Sequence, residues 1–223
     1  MEDYEKLEKV GEGTYGKVYK ARCKKTGTTV ALKKTLPEMG EEGVPQTTIR
    51  EVSLLTMLSK SVHVVRLLNV EHIIEYNTTT VYLVFEYLDF DLKKYMDARG
   101  KGPSFALEPK IVKNFMYQLL KGVAHCHSHG VMHRDLKPQN LLVDKDRGLV
   151  KIADLGLGRA FTVPIKSYTH ENLALFVPEL DEKGVDLLKH CLEYDPAKRI
   201  TAKDALQHPY FDNFDKSQFD APF

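Results

Sequence analysis

The densest concentration of reactive side chains is the run His133-Arg134-Asp135-Leu136-Lys137-Pro138-Gln139-Asn140, followed fourteen residues after Asn140 by Asp154-Leu155-Gly156. Moving a phosphoryl group onto a hydroxyl requires a carboxylate to orient the hydroxyl and accept its proton, a cation at the γ-phosphate, and oxygen ligands for magnesium. Asp135, Lys137, Asn140 and Asp154 supply these in order. Upstream, Gly11-Glu12-Gly13-Thr14-Tyr15-Gly16 is a GxGxxG, a pattern shared by dinucleotide turns, phosphate-covering loops and ordinary hairpins. A dinucleotide fingerprint must open a helix, whereas Lys17-Val18-Tyr19 and the turn at Gly27 continue a strand pattern, so the sequence predicts a glycine-rich hairpin flap. These residues alone leave open whether the flap covers phosphate or is a plain turn. Lys33, seventeen positions after Gly16, is either a solvated edge lysine or an ammonium aimed at phosphates from beneath the flap. Glu51 favours the second: it precedes Leu55 and Leu58 by four and seven residues, so its carboxylate lies on or beside an apolar helix face and needs a buried cation.

Strands and helices must position these groups. From Tyr4 to about Leu88 the chain predicts mostly strands, with segments at Tyr4 to Val10, Lys17 to Cys23 and Thr28 to Lys33 and a hairpin turn at Lys24-Lys25-Thr26-Gly27. One helix interrupts them, starting near Pro45 and carrying Ile49, Val52, Leu55 and Leu58 three apart. Apolar runs follow at Val64 to Val70 and Val81 to Leu88. From about Asp89 onward helices should dominate. Ile111, Val112, Phe115, Met116, Leu119, Leu120 and Val123 predict an amphipathic helix closing near Gly130, and Leu187, Leu188, Cys191 and Leu192 another. Thr201 to Asp204 is an N-terminal capping signal before Ala205, Leu206 and a stop at Pro209.

Composition excludes several classes. The 223 residues, 43% hydrophobic, suffice for a packed core, and 32 basic against 31 acidic residues give a formal charge of +1, with no field that would suit nucleic acid or an anionic membrane. Three cysteines without paired spacing, a charged N-terminus and the absence of any run near the roughly 18 apolar residues a bilayer needs predict a soluble intracellular protein. Two local clusters are weaker. Of His125, His127, His129 and His133, only His125 and His129 share a helix face and no carboxylate or thiolate completes a metal set, while Cys126 ends an amphipathic helix and should be packed rather than reactive.

With these residues in place the chain resembles the protein kinases, and among them the cyclin-dependent kinases. The resemblance is carried by Gly-Glu-Gly-Thr-Tyr-Gly-Lys-Val at 11 to 18, Val-Ala-Leu-Lys at 30 to 33, Pro45-Gln46-Thr47-Thr48-Ile49-Arg50-Glu51 and Ser167-Tyr168-Thr169-His170-Glu171. The PQTTIRE form, with Asp154 to Phe161, is most similar to the plant B-type members. It implies an α+β, two-lobed kinase fold, with a β-rich small lobe over 1–88 and a helical large lobe over 89–223. It implies a protein serine/threonine kinase of the cell cycle that uses ATP and Mg2+, with cyclin and protein substrates as partners, in nucleus and cytoplasm. Asp135 would be the catalytic base, Lys137 would meet the γ-phosphate, Lys33 would pair with Glu51, and Asn140 and Asp154 would hold the metal. Val10, Gly11, Glu12, Gly13, Thr14, Tyr15, Gly16, Lys17, Val18, Ala31, Lys33 and Leu142 would surround ATP. Phe85 would back the adenine, Glu86 and Leu88 would bond it through their backbone, and Asp91 would sit near the ribose. Pro45, Gln46, Thr47, Thr48, Ile49 and Arg50 would meet cyclin. Thr14 and Tyr15 would be inhibitory phosphosites, since charge there repels the ATP phosphates. A phosphate on Thr169 would bind Arg50, Arg134 and Arg159.

The chain also departs from that family. After Glu171 it passes to Asn172-Leu173-Ala174-Leu175-Phe176-Val177-Pro178, which resembles the stretch before the family's late helices, so a segment of roughly 80 residues, including Ala-Pro-Glu, is absent. This is the kind of internal deletion left by alternative splicing or a mispredicted gene model. It should strand Arg199, whose family partner is the absent glutamate, and uncover the apolar face of the 111 to 125 helix, a surface that favours aggregation, chaperone capture or a replacement partner. The alternative function is then a catalytically impaired chain acting as a cyclin-binding or ATP-binding module.

Overall fold

A computed structural model of the chain describes residues 2–13, 16–35, 46–75, 78–100, 107–155, 173 and 177–219. Its first half is an antiparallel sheet of β1 (Tyr4–Gly13), β2 (Gly16–Cys23), β3 (Thr29–Thr35), β4 (Leu67–Glu75) and β5 (Thr78–Glu86), in the order β1-β2-β3-β5-β4, with helix α1 (Gln46–Leu58) between β3 and β4. The period of two sorts the side chains. Val30 and Leu32 on β3 join Tyr82 and Val84 on β5 in one buried cluster, while Lys33 stands opposite Leu83, and Ala31 opposite Phe85, on the other face. Each fully buried Val or Leu of this kind contributes about 2 kcal/mol.

The second half begins with a short strand β6 (Phe90–Asp91) and helix α2 (Leu92–Asp97), followed by the long helix α3 (Pro109–Ser128). Strands β7 (Leu141–Asp144) and β8 (Leu149–Ile152) pair with β6 as a three-stranded sheet, and helices α4 (Glu182–Cys191) and α5 (Ala202–Ala205) close the fold. The sequence predicted helices here, and this small sheet is the difference: strands of two to four residues are too short to display an alternation. Thr201 caps α5 by accepting from the Asp204 N–H, and Asp91 caps α2 by accepting from Lys94. No described helix is long and apolar enough to cross a membrane.

Helix α3 holds the halves together because both its sides are occupied. On one side a core runs from Leu55, Leu58, Val81 and Leu83 to Cys126, Leu141, Val150 and Ile152, so the apolar interior crosses the expected lobe boundary at 88/89. Contact there is close: a Cβ at Gly122 would lie 2.9 Å from Ile152 Cδ1 and 3.0 Å from the His63 carbonyl oxygen. On the other side Tyr117 and Leu120 pack with Leu187, Ala205, Phe211 and Phe219. Gln118, fully buried, fastens the β7–β8 hairpin, its amide donating to the Gly148 carbonyl at 2.8 Å and its oxygen accepting from Val150 N–H at 2.8 Å.

Between α3 and α4 lies an apolar groove of about 510 Å³ lined by Met116, Leu119, Val123, Leu187, Leu188 and Cys191, on the α3 face that the deletion was expected to uncover. Arg199 is exposed at its rim and donates to the backbone carbonyls of Glu193 (2.8 Å) and Tyr194 (3.3 Å); no carboxylate among the described residues pairs with it.

His63, 3% exposed, stacks at a tilt on Phe219, and its Nδ1 has no partner. Burial lowers its pKa from 6.5 to about 4. A group with a depressed folded-state pKa binds fewer protons when folded, and for histidine the cost falls on the acid side. Stability should therefore fall as pH drops from about 6.5 toward about 4. Urea midpoints measured across that window should decline for the native chain and decline less for His63→Leu. Equal slopes in the two proteins would refute the assignment.

Candidate active site

A cleft of about 600 Å³ separates the five-stranded sheet from β7 and β8. Gly11, Glu12, Gly16 and Val18 roof it, Ala31, Lys33, Phe85 and Glu86 form one wall, and Asp135, Lys137, Asn140, Leu142 and Asp154 form the other. The flap is a hairpin in which Gly13 pairs with Gly16. Gly16 takes φ +138°, and a Cβ there would overlap the Lys34 carbonyl oxygen, so a side chain would force β2 off β3. Glu12 accepts from Lys9 at 2.7 Å and sits 3.6 Å from Lys17, contacts that hold its carboxyl below the usual range. Thr14 and Tyr15, between Gly13 and Gly16 in sequence, lie outside the described residues.

Lys33 is the centre of the site. Its Nζ lies 2.8 Å from Glu51 Oε1 on α1 and 3.0 Å from Asp154 Oδ1 beyond β8, with the lysine and glutamate side chains 12% and 13% exposed. Burial by itself would depress the ammonium, but the two carboxylates outweigh it and hold its pKa above the ordinary lysine value. Lys33 is therefore a cation fixed by two elements that approach from opposite sides.

The facing loop is tied down bond by bond. His133, 5% exposed, donates from Nε2 to the Ala153 carbonyl (2.9 Å) while its Nδ1 accepts from the Asp135 N–H (3.3 Å), which fixes the tautomer. Asn140 donates through Nδ2 to the Asp135 carbonyl (2.8 Å) and carboxylate (3.1 Å), and its own carbonyl accepts from Ala153 N–H at 2.9 Å. Lys137 Nζ is 2.6 Å from Asp135 Oδ2, and that hydrogen bond is the main reason the Asp135 carboxyl is held below its usual range and ionised at neutral pH. Arg134 (φ 66°) and Asp154 (φ 55°) occupy left-handed backbone conformations, which L-residues adopt at a cost of about 1–2 kcal/mol. Such strain persists only where the surroundings over-determine it, as this network does.

Other expected residues are distributed less evenly. Val10, Lys17, Leu88 and Asp91 do not line the cleft, and the Asp91 carboxylate caps α2 and sits 3.4 Å from Lys94. On α1, Pro45 and the side chains of Gln46 and Thr47 lie outside the described residues. Ile49 is 54% exposed and Arg50 is exposed, but Thr48 is only 5% exposed. Thr48 is thus a correction to the partner-facing set: it shares the inward side of the helix with Val52 and Leu55, four and seven residues on. Arg134 is exposed, whereas Arg159 and Thr169 lie outside the described residues. The sequence missed Val65, Gln139 and Ala153, which also line the cleft. Gln139, inside the polar run, carried a signal; Val65 and Ala153 look like any strand-end apolar residue.

Neither side cluster competes with this cleft. Cys126 is 1% exposed and burial pushes its thiol up to about 11, so it is packed. His125 and His129 stack at 4.4 Å. A group the sequence missed, Asp186, His190 and His208, comes together at α4. His208 Nδ1 accepts from Tyr210 N–H (3.2 Å), so its proton is on Nε2 and donates to Asp186 at 3.1 Å; this is a hydrogen bond, with the nitrogen lone pair a metal would need already used.

Comparison with known proteins extends these observations. A family model described as the protein kinase domain matches residues 4–173. Cyclin-dependent kinase B1-1 of Arabidopsis thaliana is 48% identical over 309 aligned positions, covering 98% of this chain and 100% of that protein. Cell division control protein 2 homolog C of Antirrhinum majus is 48% identical, covering 98% and 100%, and cyclin-dependent kinase B2-2 of Arabidopsis thaliana is 44% identical, covering 97% and 96%. An alignment of 309 positions exceeds the 223 residues here by 86, so at least that many positions of the first relative have no counterpart in this chain. The chain belongs to the protein kinase family, among its plant B-type cyclin-dependent members.

Proposed function

We propose that this chain, docked to a cyclin, transfers the γ-phosphate of ATP to serine or threonine hydroxyls of protein substrates. The observation that carries this reading is the bridging of Glu51 and Asp154 by Lys33 in the same cleft that holds Asp135 and Asn140. Asp135 orients the incoming hydroxyl and takes its proton as the new O–P bond forms and the bond to the leaving ADP breaks. Lys137, 2.6 Å from that carboxylate, neutralises charge on the transferred group, and Lys33 holds the inner phosphates.

The donor set suits Mg2+, which prefers hard oxygen ligands. The Asn140 side chain bonds Asp135 through Nδ2, which leaves Oδ1 for a cation, and Lys33 takes Oδ1 of Asp154. Asn140 and Asp154 would hold the ion, which supplies charge neutralisation at the phosphates. Ala31 and Leu142 would sandwich the adenine in front of Phe85, with the backbone of Glu86 along its edge.

Cyclin docking is supported by the names of the relatives and by Ile49, an apolar side chain 54% exposed on the helix that carries Glu51. A partner there would press α1 toward Lys33. Phosphate on Thr14 or Tyr15 would repel the ATP phosphates, and on Thr169 would gather Arg50, Arg134 and Arg159.

Radiolabelled phosphate transfer to a serine/threonine peptide library, with Mg-ATP and cyclin, tests this directly. Transfer should depend on cyclin and fall by about two orders of magnitude or more in Asp135→Asn. A chain that binds cyclin and Mg-ATP yet transfers nothing would overturn the proposal in favour of a binding module. In parallel, Ile49→Glu should weaken cyclin binding by about tenfold or more in a titration, as expected for loss of an apolar anchor; unchanged affinity would remove α1 from the interface.

A further inference from the structure

Lys151 on β8 has no part in the chemistry above, yet it is 8% exposed and its Nζ lies 2.7 and 2.8 Å from the two carboxylate oxygens of Glu86, the last residue of β5. Glu86 Oε1 also accepts from the Arg66 N–H at 2.8 Å, and the Glu86 N–H donates to the Arg66 carbonyl at 3.1 Å. One carboxylate thereby joins the start of β4, the end of β5 and β8. Its two ends matter to the cleft. Across the β7–β8 ladder Lys151 stands opposite Leu142, which lines the cleft, and three residues further along the chain is Asp154. Neighbouring Ile152 is fixed by its own backbone, donating to His63 and accepting from Val65 at 2.8 and 2.9 Å.

An apolar residue would suit the position, since the side chain at 151 is itself buried, 8% exposed. A pair this buried adds little net stability over an apolar pair of the same volume, so its distinctive effect is geometric. Two oxygens held at 2.7 and 2.8 Å fix the carboxylate in direction as well as distance.

We infer that Lys151 is a positioning residue for the nucleotide. By clamping Glu86 it sets the register between the backbone at the end of β5 and the base, and ties that register to the strand that delivers Asp154. The inference rests on the reading of the cleft as an ATP site. The base, rather than the phosphates, should feel its loss, because a purine is distinguished by hydrogen bonds to fixed backbone groups and an edge that has slipped no longer rejects the wrong pattern.

Calorimetric titration of the full chain with Mg-ADP and Mg-GDP tests this. The native protein should prefer ADP. Lys151→Met should weaken ADP binding by about tenfold while changing GDP binding little, so that the preference collapses, and Lys151→Arg should restore it. A purely structural role would lower the melting temperature or the binding-competent fraction and leave the ADP to GDP ratio of affinities as it was. If Lys151→Met does not fold, Lys151→Met/Glu86→Gln removes the stranded carboxylate, and the same ratio decides. An unchanged ratio in a folded variant overturns the inference alone. A native chain that binds no ADP overturns both it and the reading beneath it.

Discussion

An ammonium cannot be buried at the back of a cleft unless carboxylates come with it, and the position of Lys33 therefore dictates what surrounds it. Burial works against the charge, and Glu51 and Asp154 outweigh burial only by both approaching within 3.0 Å. Each comes from a different element, so α1 has to lie against the sheet and the chain after β8 has to reach across to it. Removing both partners would leave the buried ammonium uncompensated, a cost that marginal domain stability could not absorb. The site and the packing of the two halves are consequently one energetic problem, which explains why the apolar core from Leu55 to Ile152 is continuous beneath it.

The opposite wall solves a different problem, that of keeping a polar loop in one conformation at the edge of solvent. Two consecutive backbone groups of Ala153 accept from His133 and donate to Asn140, so the residue just before Asp154 is held from both sides. Asn140 in turn holds Asp135. Three hydrogen bonds to neutral groups contribute about 1 kcal/mol each, enough to offset the left-handed conformations of Arg134 and Asp154. Strain and restraint are thus comparable in size and located in the same few residues.

What the sequence discloses follows from how local each determinant is. The glycine flap, Lys33, Glu51 and the 133 to 140 run are legible because their chemistry is carried by residue type at short spacing. Glu51 is the clearest instance, since a carboxylate beside Leu55 and Leu58 announces a missing cation before any fold is known. Residues 48 and 49 show the limit of the period: apolar spacing groups Ile49 with Val52 and Leu55, whereas the fold turns Ile49 outward at 54% exposed and Thr48 inward at 5%. Val65, Ala153 and Lys151 were invisible because their roles are set by which strand crosses which, as were β6, β7 and β8, each too short to show a period. Gln118 belongs with them: nothing near it in sequence reveals that the β7–β8 hairpin will supply its hydrogen bonds.

The internal deletion can be weighed by the same logic of what touches what. Lys33, Glu51, Asp135, Asn140 and Asp154 all precede the point at which the family match ends, residue 173, and their contacts to one another use nothing beyond it. The later block, from Val177 onward, fastens to α3 through Tyr117 and Leu120 on the side away from the cleft core. A helix of 20 residues, gripped on two faces by clusters that meet at Val123, ties the two blocks together. Its third exposure is the groove between α3 and α4, where apolar side chains and Arg199 face outward together. The 86 or more positions of the relative without a counterpart here are therefore not needed for any contact that joins Lys33, Glu51, Asp135, Asn140 and Asp154.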